Sequence, residues 1–293
     1  MKIKRFVPGG SITASPVFLM VVALIALPAF GSPIFLIPVP ANSFGFLGYT
    51  VSNTGTSVIA GNVGAMSTVT MLGGTATGFA CTPTSAAPCT SGDDSLVTAA
   101  YDAIFNTGGA FSVAEGLSPS GSFTTDTSQT FLGNTVYGSG TISTTTGTNL
   151  IFDAKGDPTA VFVIKIDGAL TVNGAMTFTL QGEAQADNIY WIVEDAATIS
   201  VGSSGPIVFD GNILAGSTFT MSAASGGSGV LAGTINGCVF SQTTDTLAGQ
   251  TNVNGCSSSG SSSSTPEPGS SLLVALGCLV CGSGLRRFRK SKA

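Results

Sequence analysis

Histidine is missing from all 293 residues, and charge is scarce: Asp, Glu, Lys and Arg make up 9% of the chain, against about 25% in an ordinary soluble domain. The missing imidazole removes Ser/His/Asp and Cys/His nucleophile systems, along with His-ligated zinc or haem. Arginine is absent between Arg5 and Arg286, so the interior holds no bidentate clamp for phosphate or carboxylate. Of 10 basic residues only Lys155 and Lys165 lie in that interior, together with all 15 acidic ones, a balance of −13. Such a body repels nucleic acid and anionic lipid. What is present instead is 43% apolar residues and 40 glycines, too much apolar surface for disorder by composition.

The basic residues mark the two ends. MKIKR precedes an apolar stretch from Pro16 to Phe30 and the small residues Ala29 and Gly31. Residues 1–31 therefore read as a signal peptide cleaved after Gly31, the apolar run being shorter than the ~20 residues of a span. At the other end GCSSSGSSSST, residues 255–265, is a flexible polar linker by composition. Pro266-Glu267-Pro268 follows, then an apolar run from Ser270 to Leu285, then RRFRKSKA. A short apolar segment backed by a basic cluster stalls in the inner membrane with the cluster in the cytoplasm. Residues 266–293 resemble the PEP-CTERM sorting signal of Gram-negative bacteria. The resemblance implies cleavage by the membrane protease exosortase near Pro266, Glu267 and Pro268, transient inner-membrane binding, and delivery to the cell surface or matrix.

An exported chain meets an oxidising compartment. Cys278 and Cys281 lie in the apolar tail, which leaves Cys81, Cys89, Cys238 and Cys256. Four cysteines allow three pairings, and local closure would join Cys81 to Cys89 and Cys238 to Cys256. A metal site is not expected from their spacing.

One helix is legible. In DDSLVTAAYDAIFNTGG the residues Leu96, Val97, Ala100, Tyr101, Ile104 and Phe105 form a single apolar stripe. Asp93 and Asp94 suit its start and Gly108-Gly109 its stop, which places it at about 93–107. One helix cannot organise residues 43–254. The rest of that stretch carries a short unit, Thr, apolar, then Thr, Ser or Asn, as in Thr68-Val69-Thr70, Thr171-Val172-Asn173, Thr198-Ile199-Ser200, Thr218-Phe219-Thr220 and Thr234-Ile235-Asn236. On a strand the apolar residue points in and the hydroxyls point out. Glycines such as Gly174, Gly202, Gly211 and Gly233 stand between units as corners. From Thr177 the units recur at Thr198, Thr218 and Thr234, an irregular spacing that suits solenoid coils. A hairpin sandwich alternates in the same way and stays open on pattern alone.

LIFDAKGDPTAVFVIKIDGALTV (Leu150 to Val172), NIYWIV (Asn188 to Val193) and GNILA (Gly211 to Ala215) occur in that order, after Gly61-Asn62-Val63-Gly64 and the helix. This series resembles the bacterial and fungal ice-binding-protein-like domain, best at Asp153, Gly156, Asp157, Pro158, Ala160, Val161 and Phe162. The resemblance implies a mainly β domain over residues 32–254, a discontinuous right-handed parallel β-solenoid of triangular section with one α-helix packed alongside. It also implies, for some members, adsorption to ice through a flat face. The Thr-Ala/Gly-x-Thr/Asn motif of some ice-active members is met by Thr146-Gly147-Thr148-Asn149 and loosely by Ser222-Ala223-Ala224-Ser225. Asn173-Gly174-Ala175-Met176 and Val201-Gly202-Ser203-Ser204 depart from it.

The expected function is therefore a secreted, non-enzymatic surface protein without cofactor, whose partner is ice or ordered water. The candidate face comprises Thr141, Ser143, Thr146, Thr148, Thr171, Asn173, Thr177, Thr179, Thr198, Ser200, Thr218 and Thr220. The rival reading is a biofilm-matrix adhesin binding extracellular polysaccharide on the same scaffold. A polysaccharide-cleaving enzyme would need an acidic cluster drawn from Asp153, Asp157, Glu183, Asp187, Glu194, Asp195 and Asp210. Glu194 and Asp195 are adjacent, so on a strand they would face opposite ways. Asp157 belongs to a Gly-Asp-Pro turn, where a turn role is expected; Asp153 and Asp157, oxygen ligands in a Gly-rich loop, leave calcium as an alternative there. Trp191 is expected in the core or against the helix.

Overall fold

Alternation of apolar and hydroxyl residues yields strands over most of the described residues, all paired in parallel. The computed structural model describes residues 37–256 except 85–88, 146, 174–175, 202–204 and 224–230. The expected signal peptide, the linker past Cys256 and the sorting segment lie outside the described residues, as does Thr146. Among the described residues no helix is long and apolar enough to cross a membrane.

The chain first makes β1 (Phe44–Asn53), β2 (Val58–Ile59), β3 (Asn62–Met71), β4 (Thr75–Ala76) and β5 (Ala80–Cys81). Two helices follow, α1 (Ser91–Phe105) and the short α2 (Ala110–Glu115). A second series then runs β6 (Gly121–Ser122), β7 (Gln129–Leu132), β8 (Thr135–Ser139), β9 (Ile142–Thr144), β10 (Thr148–Asp153), β11 (Phe162–Ile166), β12 (Leu170–Asn173) and β13 (Met176–Gln181). It continues through β14 (Ile189–Val193), β15 (Ala197–Val201), β16 (Ile207–Asp210), β17 (Asn212–Ala215), β18 (Phe219–Ala223), β19 (Leu231–Asn236), β20 (Val239–Ser241), β21 (Thr244–Ala248) and β22 (Gln250–Val253).

Every pairing among these strands is parallel, and in the second series the prevailing partner is the strand three places on, as β8 with β11, β11 with β14 and β14 with β17. A repeat of three strands per turn makes three faces, and the sandwich alternative falls. The winding is discontinuous. β1 lies on β20 with its first half and on β21 with its second, and β3 lies on β1 along its whole length. The first series therefore caps the last coil of the second, while β6 marks the opposite end of the sheet. The series of units that begins at Thr177 mixes faces: Thr177 and Thr234 belong to the third face, Thr198 and Thr218 to the second.

The helix explains how the faces differ. Thr90 caps α1, its hydroxyl accepting the Asp93 N–H while the Asp93 carboxylate accepts the Thr90 N–H at 2.8 Å. Val97, Ala100 and Ile104 are buried. With α2 the helix covers the first face, where Val163, Tyr190, Ile192, Leu214 and Phe240 meet it in one apolar cluster. All five residues of β14 are accordingly buried, whereas β15 alternates between buried and half-buried. Inside the solenoid a second cluster stacks Phe131 on Phe152 and sets Trp191 edge-on to Phe152 and Phe178. The Trp191 indole N–H donates to the Asp210 carbonyl at 2.9 Å, which satisfies the polar edge of this core residue. Gly211, at φ +118°, leaves the space that the indole occupies.

Both local disulfides form. Cys81–Cys89 joins β5 to the approach of α1, and Cys238–Cys256 ties the end of the last coil to the start of β20.

Candidate functional site

The second face, formed by β9, β12, β15, β18, β21 and the second halves of β1 and β3, is not covered by either helix. Its inward residues run from Ile142 and Val172 to Met221 and Leu247, mostly apolar but including the buried polar Thr144, Asn53 and Asp245. The outward residue opposite each is fixed by register. Ser143 stands beside Thr171, Thr171 beside Thr198, Thr198 beside Thr220, and Thr220 beside Thr246. Thr246 stands beside Ser52, and Ser52 beside Thr70. One rank of seven hydroxyl residues thus crosses the whole solenoid, through the seam between the two windings. At about 4.8 Å per strand its ends lie about 29 Å apart.

Two flanking ranks widen it, each about 6.7 Å away along the strands. On one side lie Asn173, Ser200, Ser222 and Ala248. On the other, Thr50 stands between Thr244 and Thr68, with Thr218 one position before Phe219. Register on this face is unbroken; the shifts between β1 and β3 fall at Phe44/Phe46 and Gly48/Thr50, before the strand enters it. None of these outward residues is charged. Among the described residues, no protein partner takes up the seven hydroxyls of the central rank, so they are free to bond water.

The third face is different. Its central outward positions read Thr130, Ile151, Thr179, then Val208, Thr234, Asn252, Val58 and Thr75. Its sheet is broken between β13 and β16, and it mixes aliphatic, amide and hydroxyl groups. Its hydroxyls are partly used: Thr177 and Thr179 both donate to the Asn149 side-chain oxygen, at 3.2 and 3.1 Å. Asp153 and its partner Lys155 lie on its margin.

Of the candidate residues, the structure brings together Ser143, Thr171, Asn173, Thr198, Ser200, Thr218 and Thr220 on the second face. Thr141 is exposed immediately before β9. Thr177 and Thr179 lie on the third face, and Thr148 points into the core at 1% exposure. Alternation fixes this: Leu150 and Phe152 face inward, so Thr148, in phase with both, must too. The residues missed are Thr50, Ser52, Thr68, Thr70, Ser222, Thr244 and Thr246. Thr244-Asp245-Thr246 escaped because its inward residue is not apolar, and Ser52 and Thr70 because their windings join the far end of the stack.

Glu194 and Asp195 sit in the bend after β14, not on a strand, because β14 ends at Val193 where the chain turns the corner. Glu194 gathers with Glu115 and Asp167 on the helix side, and Lys165 pairs with Asp167 at 3.3 Å. Burial pushes the Glu115 carboxyl up, partly offset by Lys165. Asp157 accepts the Thr159 N–H and hydroxyl at 2.9 and 2.7 Å; the bonds from Thr159 hold its carboxyl below the usual range, as those from Lys155 do for Asp153. Asp153 is the last residue of β10, and Asp157 lies in the turns that follow it.

Three strands per turn, one face sheathed by helices and a second left uncovered, uncharged and hydroxyl-bearing define a class of parallel β-solenoid. The chain belongs to the Ice-binding-like family, whose model matches residues 47–254. It is 34% identical over 93 residues to an ice-binding protein of Flavobacterium frigoris, and 39% identical over 74 residues to ice-binding protein K3-B1 of Typhula ishikariensis. Those stretches cover 32% and 25% of this chain and only 29% of each relative. The solved ice-binding protein of the Antarctic ascomycete Antarctomyces psychrotrophicus superposes at TM-score 0.54 and 26% identity, covering 73% of this chain and 95% of that one. An ice-binding protein from an Antarctic biological consortium gives 0.56 and 26%, covering 77% and 94%.

Proposed function

We propose that the protein adsorbs to ice through its second face, without catalysis. The observation that carries this reading is the seven-member hydroxyl rank, unbroken in register and uncharged. Each threonine offers a methyl that gains by leaving liquid water and a hydroxyl that can join an ordered lattice. Together these contribute about 0.5–1 kcal/mol per residue. One such contact holds nothing, but roughly ten on a rigid grid contribute about 5–10 kcal/mol. A charged side chain on the face would oppose this, since its desolvation is costly.

The working location in this reading is outside the cell. Exosortase would process the chain at Pro266-Glu267-Pro268 after export. Ile37 and Cys256, at the two limits of the described fold, both pack in the helix-side cluster. A tether leaving from that side would present the hydroxyl face outward. The test is thermal hysteresis and inhibition of ice recrystallisation by purified residues 32–265 at micromolar concentration. Activity on ice is the expected result; no effect on ice, with binding to the producer's exopolysaccharide, would overturn the reading in favour of an adhesin.

A further inference from the structure

Asp245 lies within the hydroxyl face and does not share its chemistry. Thr244 and Thr246 point outward, so their middle residue points inward, and Asp245 is wholly buried. Its register neighbours are Val51 on one side and Phe219 on the other. These positions straddle the seam: Val51 belongs to the first winding, Asp245 and Phe219 to the second. Neither carboxyl oxygen has a hydrogen-bond partner of good geometry, and the buried Ser241 hydroxyl close by lacks one as well. Gly48 makes the room. A Cβ there would run into the Asp245 carboxyl and crowd the Ser241 hydroxyl.

We infer that Asp245 is a positioning residue for the hydroxyl face: uncharged, it lets the two windings close, keeping Thr244 and Thr246 level with Thr50 and Ser52, and ionised it parts the face at the seam. The physical reason is direct. A neutral carboxylic acid fits an apolar coil at modest cost, whereas a carboxylate there has lost its water and met no cation. Among the described residues no cation acts on it. The group that its charge reaches is Tyr101 of α1, which burial raises first and Asp245 raises further, with Tyr49 and Asp102 adding to the same acidic surroundings of that phenol. Burial accordingly pushes the Asp245 carboxyl well above its ordinary value, with only the Ser241 hydroxyl acting against that. Parting at this place would separate Ser52 and Thr70 from the other five members of the rank and shorten the adsorbing surface.

The inference rests on the reading of the face as the ice-contact surface, and its structural half can be tested with no ice present. Amide protection factors are measured from pH 4 to 10 on the full exported domain. Thr50, Thr244 and Thr246 are compared with Ile164, Trp191 and Ile199 in remote coils. The expected result is at least a tenfold loss of protection at the seam beyond any loss in the remote coils. Asp245→Asn, uncharged and of the same shape, should abolish the difference. Recrystallisation inhibition should fall over the same pH range in the wild type and stay level in the variant. Parallel loss in seam and remote coils, or a seam-specific loss that persists in Asp245→Asn, would overturn the inference. A seam that opens while activity on ice holds steady would overturn the positioning role. If the variant fails to fold, the wild-type profile alone decides. A protein inert to ice at every pH defeats the functional reading instead, and exchange still reports on the seam.

Discussion

Thr198→Tyr places the largest perturbation where the face has most to lose. Thr198 is third of the seven in the central rank, flanked by Thr171 and Thr220 at about 4.8 Å and by Ser200 at about 6.7 Å along its own strand. A phenol ring standing off the sheet holds a flat surface away from all of these. If four or five of roughly ten contacts are lost at about 0.5–1 kcal/mol each, adsorption weakens by about 2–5 kcal/mol. At about 1.4 kcal/mol per factor of ten, residence on the surface shortens by about thirtyfold to several thousandfold. Thr198→Ser removes one methyl and should cost less than tenfold. The assay is thermal hysteresis with recrystallisation inhibition, beside circular dichroism and a melting curve to establish that each variant folds. Thr177→Tyr, on the third face, is the control and should keep wild-type activity. The reasoning is refuted by a folded Thr198→Tyr that acts like wild type, or by Thr177→Tyr losing as much as Thr198→Tyr does.

Trp191→Ala empties the middle of the core and strips Phe152, Phe178 and Phe209 of their shared neighbour; a loss of about 3–5 kcal/mol is expected by denaturant titration. Removing Cys238–Cys256, which spans 18 residues, should cost about 3 kcal/mol in the chain-entropy model, seen as a lower melting temperature of the Cys238→Ala/Cys256→Ala pair. Stability should peak near pH 4. Asp245, Asp210 and Glu115 are raised by burial from ordinary values of 3.8, 3.8 and 4.5. The folded state therefore holds more protons than the unfolded chain above about pH 4, and stability falls as pH rises. Asp153 and Asp157 are lowered by hydrogen bonds, so what they contribute is lost as pH falls below the ordinary carboxylate value. Both are half-buried at the surface, within reach of water, which makes that acid-side loss small. A melting temperature that climbs steadily from pH 4 to 8 would contradict this.

Much of the architecture could be read from residues. The stripe of Val97, Ala100 and Ile104 specified a helix because a buried face repeats at helical spacing, and the helix occupies 91–105 in place of about 93–107 because Thr90 supplies the cap. In β14 the inward set of Ile189, Trp191 and Val193 and the outward set of Tyr190 and Ile192 were both apolar, and both are buried, one by the core and the other by the helix side. The assignment of units to faces was not legible. Thr171-Val172-Asn173 and Thr234-Ile235-Asn236 are alike in sequence, yet they occupy different faces. Alternation tells in from out and carries no information about which corner the chain has passed. Register between strands of successive coils decides that, and it depends on corner lengths that vary from coil to coil.

The discontinuous winding bears on this directly. A parallel stack has two open ends and three faces, all of which would be wet if the chain simply wound from one end to the other. Here the first windings are laid on the last coil, closing one end with β3 and β4, and the chain must then return to the far end to begin again. The return path is α1 and α2, which lie along the first face and bury its outward residues. Capping and sheathing are thus one topological event, and the apolar outward set of β14 is its signature in sequence. The opposite side of the triangle gains the freedom to be uniform: its outward residues need support no other element, and small hydroxyl side chains can fill every coil. The same arrangement places a seam beneath the rank at Thr246 and Ser52, where continuity depends on two segments from opposite ends of the domain's sequence staying in register. Any change that loosens that junction should shorten the face while leaving the coils between β7 and β15 wound, so loss of adsorption ahead of loss of fold is the behaviour this topology imposes.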